Sequence, residues 1–301
     1  MKLKRITAVL LAGALMLGLM GCSGIKNNDP VKIATKPMTE QYILGEMLRI
    51  LIEEKAGCEV ELTKGIGGGT SNIQPAMEKG EFDLYPEYTS SGWILVLGHE
   101  ADEVTDEEMF TELRKEYEEK YDMTWVGLYG QNNTYALVVR ADTAEEYGLE
   151  TCSDLAAVSD KLVFCGNPDY IERADGLPGV SAAYGMEFRD IMDIDIGLKY
   201  EALRNGDIDV TNGYTTDAQI SQPDVKVLED DLGYQVNYFC STVVREEAME
   251  KYPKLEETLE LMDGILTDQK MAELNYQVEE EGKDEADVAR DYLVSMGLIE
   301  E

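Results

Sequence analysis

The sequence predicts an α/β protein built as two similar lobes, and three observations carry that prediction. The segments PAMEKGEFDLYPEYTSS and EALRNGDIDVTNGYTTD align so that Ala76, Gly80, Asp83 and Tyr88 fall on Ala202, Gly206, Asp209 and Tyr214, each pair 126 positions apart (214 − 88 = 126). Both copies read as a helix, a glycine stop, a short apolar strand and a Tyr-Thr loop, which aims a tyrosine from the carboxyl end of a strand, where open α/β sheets bind ligands. Strand-like and helical stretches also alternate along the chain, the pattern of a mainly parallel sheet. Coincidence between two ordinary strand-to-loop turns is disfavoured, because apolar, glycine and acidic positions all match in one register. A length of 301 residues accommodates two compact lobes.

Taken in order, Val31 to Thr35 reads as a strand leading into Lys36-Pro37. Thr39 is the candidate cap of a helix whose Ile43, Leu44, Met47, Leu48, Leu51 and Ile52 recur on one face, with Glu40 in the favourable first turn and Gly57 as the stop. Glu59 to Thr63 alternates like a strand and enters Gly65-Ile66-Gly67-Gly68-Gly69-Thr70. That run lacks the Lys-Ser/Thr of a phosphate loop and the last glycine of a dinucleotide fingerprint, so a tight strand-to-helix turn is its expected role rather than an anion site. After the loop at Tyr88 come an acidic helical stretch to Tyr121 and two strands, Trp125 to Tyr129 and Tyr135 to Arg140. The polar Gly130-Gln131-Asn132-Asn133-Thr134 between them is the candidate crossing between lobes. The second lobe is expected to run through a helix Ser153 to Asp160, a strand Leu162 to Cys165, a loop Ile171 to Gly179, a helix ending near Gly185, and the repeated unit. Val225 to Leu228 and Tyr238 to Val244 read as its last strands, the latter returning to the first lobe, and Glu246 to Leu298 is helical by pattern. Two crossings allow a hinge.

The charge balance excludes polyanionic partners. Twenty-six Lys and Arg against 61 Asp and Glu give a net charge of −35, a field that repels nucleic acid and anionic headgroups, so no nucleic-acid partner is expected. The first 22 residues differ from the rest: Lys2, Lys4 and Arg5 precede an uncharged apolar run, Ile6 to Met20, that is shorter than the ~20 residues a spanning helix needs. With Leu19-Met20-Gly21-Cys22 closing it, this stretch resembles a bacterial lipoprotein signal, which implies cleavage before Cys22 and lipidation of its sulfur. A retained N-terminal helix is the alternative. The organisation expected is therefore a signal over 1–22, a tether over 23–30, a first lobe from 31–132 plus 241–301, and a second lobe from 133–240. Cys58, Cys152, Cys165 and Cys240 form an even set in an exported chain, yet none has C-x-x-C spacing, so buried free thiols are expected, with disulfides left open.

Enzyme chemistry finds little support. His99 is the single histidine, no G-x-S-x-G elbow exists, and carboxylates are too numerous to single out a pair. No catalytic residue, metal site or cofactor is assigned. Tyrosine is in excess, 17 against 5 Phe and 2 Trp. Most belong to half-buried packing, but Tyr88, Tyr135, Tyr214 and Tyr238 fall at strand ends or loops facing the presumed cleft. Ring faces are electronegative, so several around one point suit a cation that cannot donate hydrogen bonds, such as a quaternary ammonium. Four unrelated core tyrosines are the plainer reading of composition alone.

TKPMTEQYILGEML, the GGGT turn, DLYPEYTSSG, ERADGLPG, YTTDAQI, VLEDD and LNYQVEEEGKDEADVARDYL together resemble the glycine betaine/carnitine/choline-binding proteins of osmoprotectant ABC transporters, over essentially all of the mature chain. The resemblance implies a two-lobed type II periplasmic-binding-protein fold with the ligand enclosed between lobes, Tyr88 reaching it from the first lobe and Tyr135, Tyr214 and Tyr238 from the second. It implies that Lys36 and Arg173 bind the ligand's carboxylate, assisted by Ser91 where the family usually has a threonine. It further implies a lipid-anchored monomer on the extracytoplasmic face of the cell membrane that delivers a quaternary ammonium solute, glycine betaine first among them, to an ABC permease. With Lys36 and Arg173 both in the cleft, zwitterions are expected to bind ten- to a hundredfold more tightly than choline. An interaction or sensing lipoprotein on the same fold, or a choline-preferring binding protein, are the alternatives.

Overall fold

Two five-stranded sheets carry the chain, which passes from the first to the second and back. The computed structural model describes residues 29–100, 105–166, 168–172, 176–194 and 198–300, so Cys22 and Arg173 lie outside the described residues. The first sheet has the order β2-β1-β3-β10-β4, from β1 (Val31–Ala34), β2 (Val60–Thr63), β3 (Leu84–Tyr88), β4 (Met123–Asn132) and β10 (Phe239–Arg245). The second has the order β7-β6-β8-β5-β9, from β5 (Tyr135–Arg140), β6 (Val163–Gly166), β7 (Asp190–Asp193), β8 (Val210–Tyr214) and β9 (Val225–Val227).

Both sheets are mixed, not mainly parallel. β1 pairs in parallel with β2 and β3, and β6 with β7 and β8, as crossover helices require. By contrast β10 runs antiparallel to β3 and β4, and β5 antiparallel to β8 and β9. The physical reason is the crossing: β5 and β10 enter their sheets from the other one at the edge where β3 and β8 end, and so must run the opposite way. One consequence places the site, because the first residues of β5 and β10 lie beside the last residues of β8 and β3.

Helices cover the faces that alternation leaves apolar. The Thr39–Leu51 helix buries Ile43, Leu44, Met47 and Leu48 against Val31, Ile33 and Val244 of the first sheet, and the C-terminal helices Asp268–Glu279 and Glu285–Ser295 join that core through Met271, Leu274, Val288 and Leu293. Its start differs from expectation: Met38 occupies the cap position and makes no side-chain cap bond, so Thr39 is the first helical residue. The opposite face is filled by Ile73, Leu113, Tyr117 and Trp125. The acidic helix Asp106–Tyr121 is capped by Thr105 and Glu108 in a reciprocal capping box, which explains how so charged a segment starts cleanly. In the second lobe Leu137 and Val139 point to one core and Val138 to the other, the period of a strand covered on both sides. The sequence reading missed β7, whose four residues are all exposed at a sheet edge and so show no burial alternation. The stretch read as one helix from Ser153 to Asp160 is a short helix, Cys152–Ala156, followed by a single tight turn. Cys58, Cys152, Cys165 and Cys240 are free thiols, and burial pushes the Cys152 thiol up to about 12.

Candidate functional site: a tyrosine-lined cavity between the sheets

The repeated unit is a structural unit. In the first copy Gly80 (φ +74°) ends the helix, Asp83 accepts from the Lys32 N–H at 2.9 Å, and Arg245 Nη1 lies 3.8 Å from Asp83 Oδ1. In the second, Gly206 (φ +77°), the Val163 N–H on Asp209 at 2.9 Å, and Arg140 Nη1 at 3.9 Å from Asp209 Oδ1 repeat the arrangement. Each aspartate ties the start of its strand to the neighbouring parallel strand and to an arginine at the end of the antiparallel one. Tyr88 and Tyr214 then close β3 and β8 in different sheets.

Antiparallel register supplies the other two tyrosines. Tyr135, first in β5, is paired with Tyr214, last in β8; their rings stack with centroids 4.8 Å apart and hydroxyls 3.3 Å apart. Tyr170 packs behind Tyr135 at 5.1 Å. Tyr238 immediately precedes β10 and packs against the first-lobe core, not the second as expected, because the return strand starts at Phe239, ahead of Ser241. The four rings are thus supplied two by each side.

A cavity of about 460 Å³ is lined by Tyr88, Tyr135, Tyr214, Tyr238, Lys36 and Ser91, so six of the seven expected ligand-binding residues meet at one place and Arg173 lies outside the described residues. The volume falls within the range of small-molecule sites. Among the described residues no group of His, Cys, Asp and Glu has the arrangement of a metal site.

Two carboxylates hold the tyrosine-bearing strand ends. Glu87, fully buried, accepts from the Lys36 ammonium, from Thr70 Oγ1 at 2.7 Å and from the Tyr88 N–H at 2.6 Å. Thr70 is delivered by the glycine turn, where Gly65, Gly68 and Gly69 all have positive φ. Lys36 Nζ lies 4.7 Å from the Tyr88 ring centroid. In the second lobe Asp217 accepts from the Tyr214 N–H at 3.1 Å, Tyr200 Oη at 2.7 Å and Lys199 Nζ at 3.5 Å. Burial pushes the Lys199 ammonium down from its ordinary value, against the pull of Asp217.

Further lining residues escaped the sequence reading: Glu40, Asn133, Thr216, Asp217, Asn275 and Glu279. Asp217 was within reach, since it aligns with Ser91 in the repeat (217 − 91 = 126). Glu40 was read only as a helix-dipole residue. It is 3% exposed, accepts from Tyr88 Oη at 2.7 Å and from Asn133 Nδ2 at 3.3 Å, and burial raises its carboxyl above the usual range against those hydrogen bonds. Burial likewise raises the Tyr88 phenol, which therefore stays neutral.

Residues 29–295 match the model of a family described as the substrate binding domain of ABC-type glycine betaine transport system. The chain is 42% identical over 269 residues to the ergothioneine transport permease/ergothioneine binding protein EgtU of Helicobacter pylori (strain G27), covering 89% of this chain but 48% of that protein, so it spans about half the length of that relative. It is 33% identical over 299 residues to the carnitine transport binding protein OpuCC of Listeria monocytogenes, covering 98% of this chain and 96% of that one. A crystal structure of a glycine betaine/carnitine/choline ABC transporter protein superposes with a TM-score of 0.83 at 32% identity, over 89% of this chain and 98% of that chain. Apo YehZ from Escherichia coli gives 0.79 at 27% identity, over 90% of this chain and 100% of that chain. With a two-sheet fold, a cavity between the sheets and these matches over nearly its whole length, the chain belongs to the family of substrate-binding domains of ABC-type glycine betaine transport systems.

Proposed function

We propose that this chain captures a small quaternary ammonium zwitterion in the cavity between its sheets and hands it to an ABC permease, held as a monomer at the extracytoplasmic face by lipid on Cys22. The observation that carries the reading is the meeting of four tyrosines, two from each side, around one cavity that also holds Lys36 and Ser91. Tyr88, Tyr135, Tyr214 and Tyr238 surround the methylated ammonium, each ring adding on the order of 0.5 to 2 kcal/mol when desolvated. Lys36 and Ser91 donate to the carboxylate. Glu87 accepts from Lys36, but an ammonium has three donors, so others remain for the ligand. Arg173 is assigned the forked grip on the same carboxylate from its place in ERADGLPG. The lobes, 31–132 with the C-terminal segment and 133 to the return strand, close on the ligand about the two crossings.

Glycine betaine is the ligand the family description favours, and the 42% identity to EgtU favours ergothioneine, a bulkier betaine, as a second reading. A thermal-shift panel of glycine betaine, carnitine, ergothioneine, choline and proline distinguishes them, since a ligand bound only by the folded chain raises its stability. At least one trimethylammonium zwitterion should raise the melting temperature, and proline, which has no methylated ammonium, should not. A panel in which none of the quaternary amines raises it would sink the reading. Mass spectrometry of the native protein tests the anchor: an unlipidated Cys22 removes it.

A further inference from the structure

One wall of the cavity gathers carboxylate and amide oxygens, hydrogen-bond acceptors, beside a few neutral donors. Glu40 presents both carboxylate oxygens there, one held by Tyr88 Oη and the other by Asn133 Nδ2, with the Thr216 and Asn275 side chains as further neutral hydrogen-bond partners. Beside it Asn275 donates Nδ2 to the Thr216 carbonyl at 2.8 Å, which leaves its buried Oδ1 without a donor. Glu279 lines the same wall. Lys36 pairs with Glu87 and Lys199 with Asp217, and among the described residues no Lys or Arg reaches ion-pair distance of Glu40 or Glu279. A carboxylate buried without a counter-charge is costly, and neutral donors offset only part of that cost. A ligand cation offsets the remainder, and at the same separation a full charge attracts it more strongly than a ring face does.

We propose that Glu40 is a specificity-determining ligand contact, whose carboxylate pairs with the ligand's positive end beside the Tyr88 ring, so that the cleft holds quaternary ammonium cations lacking a carboxylate as well as zwitterions. This rests on the reading of the same cavity given above. Tyr88 joins the two features, its hydroxyl fixing the carboxylate while its ring lines the cavity. The consequence opposes the ranking drawn from Lys36 and Arg173 alone: the gap between glycine betaine and choline narrows to less than about tenfold. Proton linkage follows. Burial raises Glu40 in the free chain, and a bound cation draws it back down, so choline binding releases a proton. Choline affinity is therefore full above the titration of free Glu40 and falls as the pH drops through it. The titratable groups that share the cavity wall with Glu40 are Lys36, Asp217, Glu279 and the phenols of Tyr88, Tyr135, Tyr214 and Tyr238, with Cys240 of β10 behind it.

Calorimetry of choline and glycine betaine on the parent, Glu40→Gln and Glu279→Gln, run as a series from mildly alkaline to acidic pH, tests the assignment. Glu40→Gln should weaken choline at least about tenfold at the alkaline end and glycine betaine by less, since the betaine's own carboxylate is no longer repelled. It should also abolish the fall in choline affinity on acidification, which Glu279→Gln should keep. Choline binding within about twofold of the parent in a natively melting Glu40→Gln overturns the proposal. So does an equal loss of both ligands, which would make Glu40 a prop for Tyr88. Should Glu40→Gln fail to fold, the parent decides, because choline affinity independent of pH overturns the proposal by itself. A parent that binds no quaternary amine overturns this inference and the proposed function together.

Discussion

The two lobes solve the same problem with carboxylates from different places in the chain. Beneath Tyr88 the acid is the preceding residue, Glu87, which takes the tyrosine's N–H and a lysine ammonium. Beneath Tyr214 the preceding residue is Gly213, and the acid comes three positions later as Asp217, which again takes the tyrosine's N–H and a lysine ammonium. The strands that run against them match as well: Cys240 to Arg245 of β10 corresponds to Tyr135 to Arg140 of β5, Val-Val-Arg closing each (245 − 140 = 105). Here too the content differs. Tyr135 stands opposite Tyr214, while Cys240 stands opposite Tyr88. A small thiol in place of a ring leaves the first lobe's tyrosine to meet Glu40 and Lys36 instead of a stacking partner. The framework is symmetric, and the chemistry laid on it is not.

The largest expected effect breaks this comparison at its acids. Glu87→Ala leaves the buried Lys36 ammonium unpaired and should cost about 3 to 5 kcal/mol in denaturant unfolding. Asp217→Ala should cost less, about 1 to 3 kcal/mol, since its lysine is held at 3.5 Å and burial already favours the neutral amine. A reversed order would show that the two acids are not equivalent anchors. Next comes Gly213→Ala. A Cβ there collides with the Tyr200 hydroxyl and reaches Val138 Cγ2 at 3.0 Å, so about 1 to 3 kcal/mol of overpacking is expected, together with displacement of Tyr200 from Asp217. An unchanged melting temperature would mean that the second lobe has room for the first lobe's solution.

Ligand affinity sharpens the comparison further. Alanine at Tyr88, Tyr135, Tyr214 or Tyr238 should each weaken binding at least tenfold, about 1.4 kcal/mol, as read by calorimetry. Two or more silent variants would mean the cage is drawn wrongly. Phenylalanine should cost less at every position, because the ring face carries the attraction, but more at Tyr88 than at Tyr214, because the Tyr88 hydroxyl holds Glu40. The smallest effect is on the free chain. A buried carboxyl whose folded-state titration is raised contributes stability at pH below its unfolded titration and loses it as the pH rises through the folded one. Glu40→Gln escapes that loss, so near neutral pH the ligand-free variant should melt slightly above the parent and the difference should vanish on acidification. A variant that melts lower at neutral pH would contradict the account of Glu40 as an uncompensated charge.

The sequence by itself determined the parts that depend on local spacing. Helical faces at Ile43, Leu44, Met47 and Leu48, the glycine stops at Gly80 and Gly206, and tyrosines at the ends of repeated strands are all set within one turn or one strand, where side-chain direction follows from periodicity alone. Placement at strand ends and loops singled out Tyr88, Tyr135, Tyr214 and Tyr238, and family motifs added Lys36, Arg173 and Ser91. Tertiary structure alone decided what those residues face. Tyr88 meets Glu40 across 48 positions and Lys36 meets Glu87 across 51, distances at which spacing carries no information about contact. The antiparallel entry of β5 and β10, which sets Tyr135 on Tyr214 and moves Tyr238 to the first lobe, follows from the chain crossing between sheets, not from any residue in those strands. Glu40 shows the same limit most sharply: at the start of an amphipathic helix an acid is ordinary, and only the tertiary structure buries it against Tyr88 on the wall of the cavity.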